Sequence, residues 1–341
     1  MRYARVPLRR FLWSLAVSSI IVLSGCTGGH AIARHDTAGL ADLSWFAPVR
    51  ANDRSTLALW AAGVGPPVVR TSTTQESSST DTLCVISWNT ALGAGRLTKL
   101  LNDVRALQGN VPIVLLLQEV FREGPEVPSG QKTALFAGRL GGKDSLEIEA
   151  LAAGLGMNLY YVPSMRNGAP WDTDEDRGNA ILSTLPLQDL SALELPFERQ
   201  RRVAVAATVG GISGSGTRWR VRLVSAHFDN TVGASRGWII GGEFARVRQT
   251  RALLDFIGDD STVILGGDLN TWFGFREPAY AAIARAFPDT HVTDRQPTFM
   301  GLLRLDHLFF RLPDGWRGTF RRAASRYGSD HYPLVGTIRL P

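Results

Sequence analysis

The sequence predicts an α/β fold of packed mixed sheets, and three observations predict it. From about Asp81 onward, short apolar runs alternate with segments of helical period. Two neighbouring runs, Val203 to Val209 and Trp219 to His227, are joined by the Gly/Ser-rich stretch Gly210 to Gly216, as in an antiparallel hairpin. No Gly-x-Gly-x-x-Gly follows the first run, no Walker loop occurs and no internal repeat is visible, so a Rossmann, P-loop or solenoid arrangement does not fit. With 341 residues, 44% hydrophobic and 20% charged, the chain is too apolar for a disordered or collagen-like polymer. It is long enough for one large core or two domains.

Taken in order, residues 1–25 are an address. Arg2, Arg5, Arg9 and Arg10 precede an apolar run from Phe11 to Leu23, followed by Ser24, Gly25 and Cys26. This is the three-part shape of a secretory signal, too short for a comfortable membrane span. Leu23-Ser-Gly-Cys26 resembles the lipobox of bacterial lipoproteins. The resemblance implies loss of residues 1–25, lipidation of Cys26 and export of a chain tethered to a membrane. Thr27 stands where an aspartate would signal inner-membrane retention, so the outer membrane is expected in a Gram-negative source.

Residues 27 to about 69 mix Trp45, Phe46, Leu57, Leu59 and Trp60 with Gly, Pro and Arg, and read as an irregular lead-in. Thr71 to Thr80 is wholly polar and reads as a flexible linker, so the catalytic domain is expected over residues 81–341. Its expected strands are Leu83 to Trp88, Ile113 to Gln118, Leu159 to Pro163, Ala180 to Ser183, Val203 to Val209, Trp219 to His227, Val263 to Gly267, Leu305 to Arg311 and Pro333 to Ile338. Helical periodicity marks Leu97 to Leu107, Ser145 to Leu155, Glu243 to Ile257 and Pro278 to Ala286, with a further turn or helix within Thr133 to Gly142.

Composition narrows the function. The net charge of +6 owes much to the four leader arginines and is no strong argument for a polyanionic partner. Two cysteines, Cys26 and Cys84, are too few for a disulfide framework or a thiolate zinc site, and Cys84 sits in an apolar run where it should be buried and inert.

The informative residues are the polar ones that end the apolar runs: Asn89, Glu119, His227, Asp268 with Asn270, Asp306 with His307, and Asp330 with His331. Strand ends in α/β folds gather on one rim. Carboxylates with an amide oxygen suit a hard cation such as Mg²⁺, which clamps a phosphate and neutralises its charge. An aspartate beside a histidine fixes the ring's tautomer and raises its basicity. These are the parts of metal-assisted phosphoester hydrolysis.

At these residues the chain resembles the endonuclease/exonuclease/phosphatase superfamily, which includes DNase I, AP endonucleases, neutral sphingomyelinases and inositol polyphosphate 5-phosphatases. The matching pieces are Ser87-Trp-Asn89, Leu117-Gln-Glu119, Gly178-Asn-Ala-Ile-Leu-Ser183, Ser225-Ala-His-Phe228, Gly266-Gly-Asp-Leu-Asn270, Arg304-Leu-Asp-His307 and Ser329-Asp-His331, in the family's order. The resemblance implies a four-layered α/β sandwich, two packed mixed, largely antiparallel sheets flanked by helices. It implies Mg²⁺, or alternatively Mn²⁺, held by Glu119 and Asn89 with Asp330 completing the shell. Asp268 would orient or deprotonate the attacking water, and Asn270 would contact the phosphate. His331, oriented by Asp306, would act as general base or stabilise the transition state. His227 would hydrogen-bond the scissile phosphate, and Asn179 would line the substrate side.

Other polar residues read as structural. His307 is expected to pack or bond locally; His30, His35 and His291 are expected to be surface or structural, and Asp172, Asp174, Glu175 and Asp176 to form a solvated loop. Substrate choice rests on loops. Two arginine clusters are candidates for anion contact: Arg199, Arg201 and Arg202, and Arg317, Arg321, Arg322 and Arg326, of which Arg322 and Arg326 are taken as phosphate-binding. The expected partner is a phosphoester, with nucleic acid slightly ahead of phospholipid, and no protein partner is inferred. A phospholipid diesterase would use apolar loops at Trp238-Ile-Ile240 or Trp272-Phe-Gly-Phe275. A binding lipoprotein that keeps the fold without catalysis is the third reading.

Overall fold

The computed structural model describes residues 32–36, 43–73, 80–130, 135–138, 146–230 and 241–340. The leader, Cys26, His30, residues 74–79 of the expected linker and the segment with Trp238 lie outside the described residues. In chain order the elements are β1 (Ile32–Asp36), β2 (Ser44–Pro48), α1 (Ala51–Ala61), β3 (Val68–Arg70), β4 (Thr82–Asn89), α2 (Leu97–Gln108), β5 (Ile113–Glu123), β6 (Phe136–Ala137), α3 (Ile148–Leu155), β7 (Asn158–Asn167) and β8 (Glu175–Ser183). There follow β9 (Gln188–Glu194), β10 (Val203–Ile212), β11 (Arg218–His227), α4 (Gly241–Ile257), β12 (Val263–Asp268), α5 (Pro278–Ala286), β13 (Asp306–Arg311), β14 (Arg317–Arg322) and β15 (Leu334–Arg339).

They form two sheets, ordered β1-β2-β9-β10-β11-β12-β13 and β14-β15-β4-β5-β8-β7-β3, with β6 beside β7. Among the described residues only β2 with β9, β4 with β5, β6 with β7 and β11 with β12 run parallel; the other pairs are antiparallel. Most of the central strands read as continuous apolar runs because they are buried on both faces. In β4, Leu83 and Val85 face the other sheet while Cys84, Ile86 and Trp88 face outward onto Leu97, Leu100, Leu101 and Val104 of α2. In β12, Ile264 faces inward, and Val263 and Leu265 pack outward near Leu253 of α4 and Ile283 of α5. Helices therefore flank both sheets, giving four layers. Among the described residues no helix is long and apolar enough to cross a membrane. Cys84 is fully buried and burial pushes its thiol up to about 12, as expected of an inert core cysteine.

The lead-in differs from its expectation. Rather than irregular, it supplies β2 to the first sheet, then α1, then β3 to the second sheet. Short strands of this kind acquire their identity from the edge they pair with. The same holds for β9 and β14, which the sequence reading passed over: Gln188–Glu194 has no β-branched residue, and β14 is an edge with only Gly318 and Phe320 buried. The acidic run also splits. Asp172 and Asp174 are exposed, but Asp176 is fully buried, where Arg122 Nη2 lies 2.5 Å from Oδ2 and the Tyr161 hydroxyl donates to Oδ1 at 2.7 Å. A buried carboxylate needs such partners.

The two sheets approach closely where the chemistry begins. A Cβ on Gly266 of β12 would lie 2.7 Å from Ser87 Cβ of β4 and 2.8 Å from Leu116 Cδ1 of β5. Gly266→Ala should therefore force the sheets apart and destabilise the fold by about 1–3 kcal/mol. The check is the urea midpoint, and an unchanged midpoint would show that no close approach exists there.

Candidate active site

The site is the polar end of the core between the sheets. Side chains alternate across a strand, so each inner row can be followed from apolar to polar. The rows run Leu83, Val85, Ser87, Asn89 in β4; Val114, Leu116, Gln118 in β5; Ile181, Asn179, Arg177 in β8; Leu223, Ser225, His227 in β11; Ile264, Gly266, Asp268 in β12; and Phe310, Leu308, Asp306 in β13. Six strands from both sheets thus deliver polar groups to one place.

Hydrogen bonds across the gap fix them. Asn89 Nδ2 donates to Asp268 Oδ2 at 3.0 Å, and Asn89 Oδ1 accepts from Ala91 N at 3.0 Å. Gln118 Nε2 donates to Ser225 Oγ at 2.9 Å, and that hydroxyl donates to Leu117 O at 3.0 Å. Asn179 Nδ2 donates to Val203 O at 2.7 Å. Its amide therefore ties the sheets together at the floor of the cleft.

His331 Nδ1 lies 2.7 Å from Asp306 Oδ2, and its Nε2 lies 3.8 Å from Asp268 Oδ2. The loop is held by Trp88 Nε1 donating to His331 O at 3.0 Å and by the Ser329 hydroxyl donating to Asn89 O at 2.8 Å. Burial pulls the imidazole down, but the facing carboxylates of Asp306, Asp268 and Asp330 more than offset this and push it up to about 10. Burial in turn pushes Asp268 up to about 7, with His331 drawing it down. His227 Nε2 approaches the same Asp268 oxygen at 3.5 Å.

Two expected residues stand in left-handed backbone. Glu119 has φ 51° at the bulge that interrupts the pairing of β5 with β8 between Leu117 and Val120, and Asn270 has φ 48°. Such strain in side-chain-bearing residues gathers at functional sites. Glu119 is half-buried on the rim. Asn270 N donates to Asp268 Oδ1 at 3.0 Å and its Nδ2 to Phe228 O at 3.0 Å. Asp330 Oδ1 lies 3.8 Å from His331 Nε2 on a partly exposed side chain.

One ligand atom each from Asp268, Asp306 and His331 lies within 4.8 Å of the others, a spacing that admits a cation. In this cluster Asp306 Oδ2 is bonded to His331 Nδ1 and Asp268 Oδ2 to Asn89 Nδ2. The oxygens of Glu119, Asn89 and Asp330 are the harder donor set and suit a divalent cation of the Mg²⁺ type.

Other expectations fare differently. Arg322 lies 3.9 Å over the Tyr332 ring with Nη1 on Pro297 O at 3.0 Å and Nη2 on Gln296 Oε1 at 2.5 Å, so its guanidinium is engaged in a clamp. Arg326 is exposed, 5.9 Å from the same ring. Arg201 pairs with Glu194 at 2.6 Å, and only Arg202 of its cluster reaches the site, donating from Nη1 to His227 Nδ1 at 3.0 Å. His307 bonds locally, its Nε2 lying 2.7 Å from Thr271 Oγ1, and His291 is exposed. Cavities of about 660 and 680 Å³ lie outside this cluster, one along Arg220 and Arg222, the other between α2 and β14. The sequence reading missed Gln118, Ser225 and the contact of Arg202 with His227; the two-residue step back from His227 was the available signal for Ser225.

The sequence profile of the endonuclease/exonuclease/phosphatase family matches residues 86–331. The chain belongs to this family. Family members hydrolyse phosphoester bonds and depend on divalent metal. Similar solved structures include an endonuclease/exonuclease/phosphatase from Beutenbergia cavernae, 20% identical over 76% of this chain and 72% of that one, with a TM-score of 0.52, a likeness that shows the shared fold. Sphingomyelinase C from Streptomyces griseocarneus is 20% identical over 76% and 99% of the two chains, with a TM-score of 0.43. A family protein from Leptotrichia buccalis is 14% identical over 76% and 99%, with a TM-score of 0.49. No curated protein matches the sequence.

The His331–Asp306 pair gives the metal-free protein a distinctive pH response. A histidine whose pKa is raised on folding contributes stability that is present in full below 6.5 and is lost as pH rises through about 10. In EDTA, Tm should fall over that window, and fall less in Asp306→Asn. Parallel Tm profiles for the two proteins would refute the pairing.

Proposed function

We propose that the protein is an exported, lipid-anchored phosphodiesterase that uses Mg²⁺ to cleave phosphodiester bonds by in-line attack of water, with nucleic acid as the favoured substrate. The observation that carries this reading is the meeting of His331, Asp306 and Asp268 across the two sheets, with Asn89 donating to Asp268 and Asp330 close to His331; Glu119, Asn89 and Asp330 offer the oxygens. Those three residues would hold the cation, which when bound neutralises charge on the phosphoryl oxygens.

The chain's own residues supply the rest. Asp268 offers a carboxylate oxygen between His331 and His227 and orients the attacking water there. Asp306 accepts the hydrogen bond of His331 Nδ1–H, which keeps that proton on the ring and turns Nε2 toward Asp268. The backbone N–H of Asn270 and the side chain of Asn89 both donate to Asp268, so its orientation is fixed before substrate arrives. Cys26 is the lipid attachment point in this reading, and the outer membrane is its place in a Gram-negative cell.

A second reading, a phospholipid diesterase, is favoured by apolar residues on the rim. Met300 and Leu302 are 56% and 77% exposed in the turn that Phe299 ties to His331, and Phe273 is 46% exposed just past Asn270. Such side chains enter a lipid surface readily, and Phe273, with its π-face, equally suits stacking on a base.

The test is turnover of plasmid DNA, sphingomyelin vesicles and bis-p-nitrophenyl phosphate by the purified protein. Activity should vanish in EDTA and return with Mg²⁺, and Glu119→Ala and His331→Ala should each lower kcat by about 10²–10⁴-fold. Cleavage of DNA should weaken steeply with added salt. EDTA-resistant activity, or wild-type rates in either variant, would overturn the mechanism, and faster turnover of vesicles than of DNA would replace the substrate. In cells, fatty-acid label should enter the protein and be lost in Cys26→Ala.

A further inference from the structure

We infer that Arg202 is a positioning residue that holds His227 as a neutral imidazole with its proton on Nε2, so that His227 gives the reacting phosphoryl group a hydrogen bond and never a proton. The phosphoryl half of this statement rests on the proposed function; the tautomer half rests on the geometry alone.

A guanidinium has five N–H donors and no acceptor. Arg202 Nη1 lies 3.0 Å from His227 Nδ1, so Nδ1 must present its lone pair. The one ring proton of a neutral imidazole then sits on Nε2, which faces Asp268 Oδ2 at 3.5 Å in the cleft. Arg202 is well placed to enforce this. It is 3% exposed, its Nη2 donates to Gln200 Oε1 at 3.3 Å, and it precedes β10, whose first residue Val203 accepts from Asn179. A rigid fork of this kind fixes the ring plane as well as the tautomer.

The two histidines of the site are thereby made opposites. Both turn Nε2 toward the same Asp268 oxygen, at 3.5 and 3.8 Å. Behind His331 stands the Asp306 carboxylate, which draws a proton onto the ring, whereas behind His227 stands a fixed positive charge, which keeps a second proton off. Burial, then Arg202, Arg177 and His331, hold the His227 imidazole well below the ordinary histidine range, in keeping with this assignment. The consequence is a division of labour: proton movement is confined to the His331 side of Asp268, and His227 contributes a fixed dipole to the charge that develops on phosphorus.

The experiment is a long-range ¹H–¹⁵N correlation spectrum of the full chain labelled with ¹⁵N-histidine, with the His227 signals identified by their loss in His227→Gln. The wild type should show a pyridine-type Nδ1 and a protonated pyrrole-type Nε2 for His227. Arg202→Met should shift this ring toward a tautomer mixture, leave the His331 signals in place, and lower kcat on bis-p-nitrophenyl phosphate by about 10–100-fold with little change in KM. Arg202→Lys, which restores a donor and a charge, should recover the tautomer and part of kcat. A wild-type His227 protonated on Nδ1, or on both nitrogens, would overturn the inference without recourse to any variant. So would an Arg202→Met protein with unaltered His227 signals and unaltered kcat. Absence of phosphoester turnover in the wild type would sink the proposed function instead, while the spectrum would still decide the tautomer.

Discussion

The close approach of the two sheets at Gly266 is the constraint on which the site depends. Asn89 and Glu119 belong to one sheet, with His331 in the loop that leads into its strand β15, and His227, Asp268 and Asp306 belong to the other. Apolar packing alone is tolerant of sliding, since many registers bury similar area. Buried polar groups are not tolerant, because each lost partner leaves an unsatisfied donor or acceptor in a dry interior. The bonds from Gln118 to Ser225, from Asn179 to Val203 and from Asn89 to Asp268 therefore lock the relative position of the sheets. The same bonds that align the sandwich align the reacting groups.

Much of this was legible in the sequence because the inner rows obey the two-residue period of a strand. The polar residues that end β4, β11, β12 and β13 stand where apolar alternation stops, and the structure brings Asn89, His227, Asp268 and Asp306 together. The helix Pro278–Ala286 was bounded by its own chemistry, with Pro278 opening it. What was not legible depends on partners distant in the chain. Ser44–Pro48 and Val68–Arg70 are strands because β9 and β7 offer edges to them. Asp176 looks like any acid in a polar loop until Arg122 arrives from β5. Arg322 looks like an anion contact until Tyr332 and Gln296 occupy it.

Part of the arginine content has a structural explanation. Arg122, Arg201 and Arg246 are buried against Asp176, Glu194 and Glu277, and Arg311 spans the carbonyls of Gly258, Asp260 and Ala286. A planar fork satisfies several oxygens at once and carries a long apolar stem into the core. Counting arginines in the sequence therefore overstates the surface available to a polyanion. Arg202 belongs with the buried group in its packing but differs in its partner, which is a ring nitrogen in place of an oxygen.

The seating of β15 between β14 and β4 has a consequence for how the protein is made. Strand β4 lies near the start of the sandwich, yet its partner on one side, with His331 just ahead of it, leaves the ribosome only after almost all the rest of the described chain. Pairings this distant in sequence form late. Until β15 arrives, β4 has an open edge, Trp88 lacks the carbonyl it holds, and Asp306 faces no imidazole. The cluster of His331, Asp306 and Asp268 is thus complete only once the last strand of the described chain has found its place.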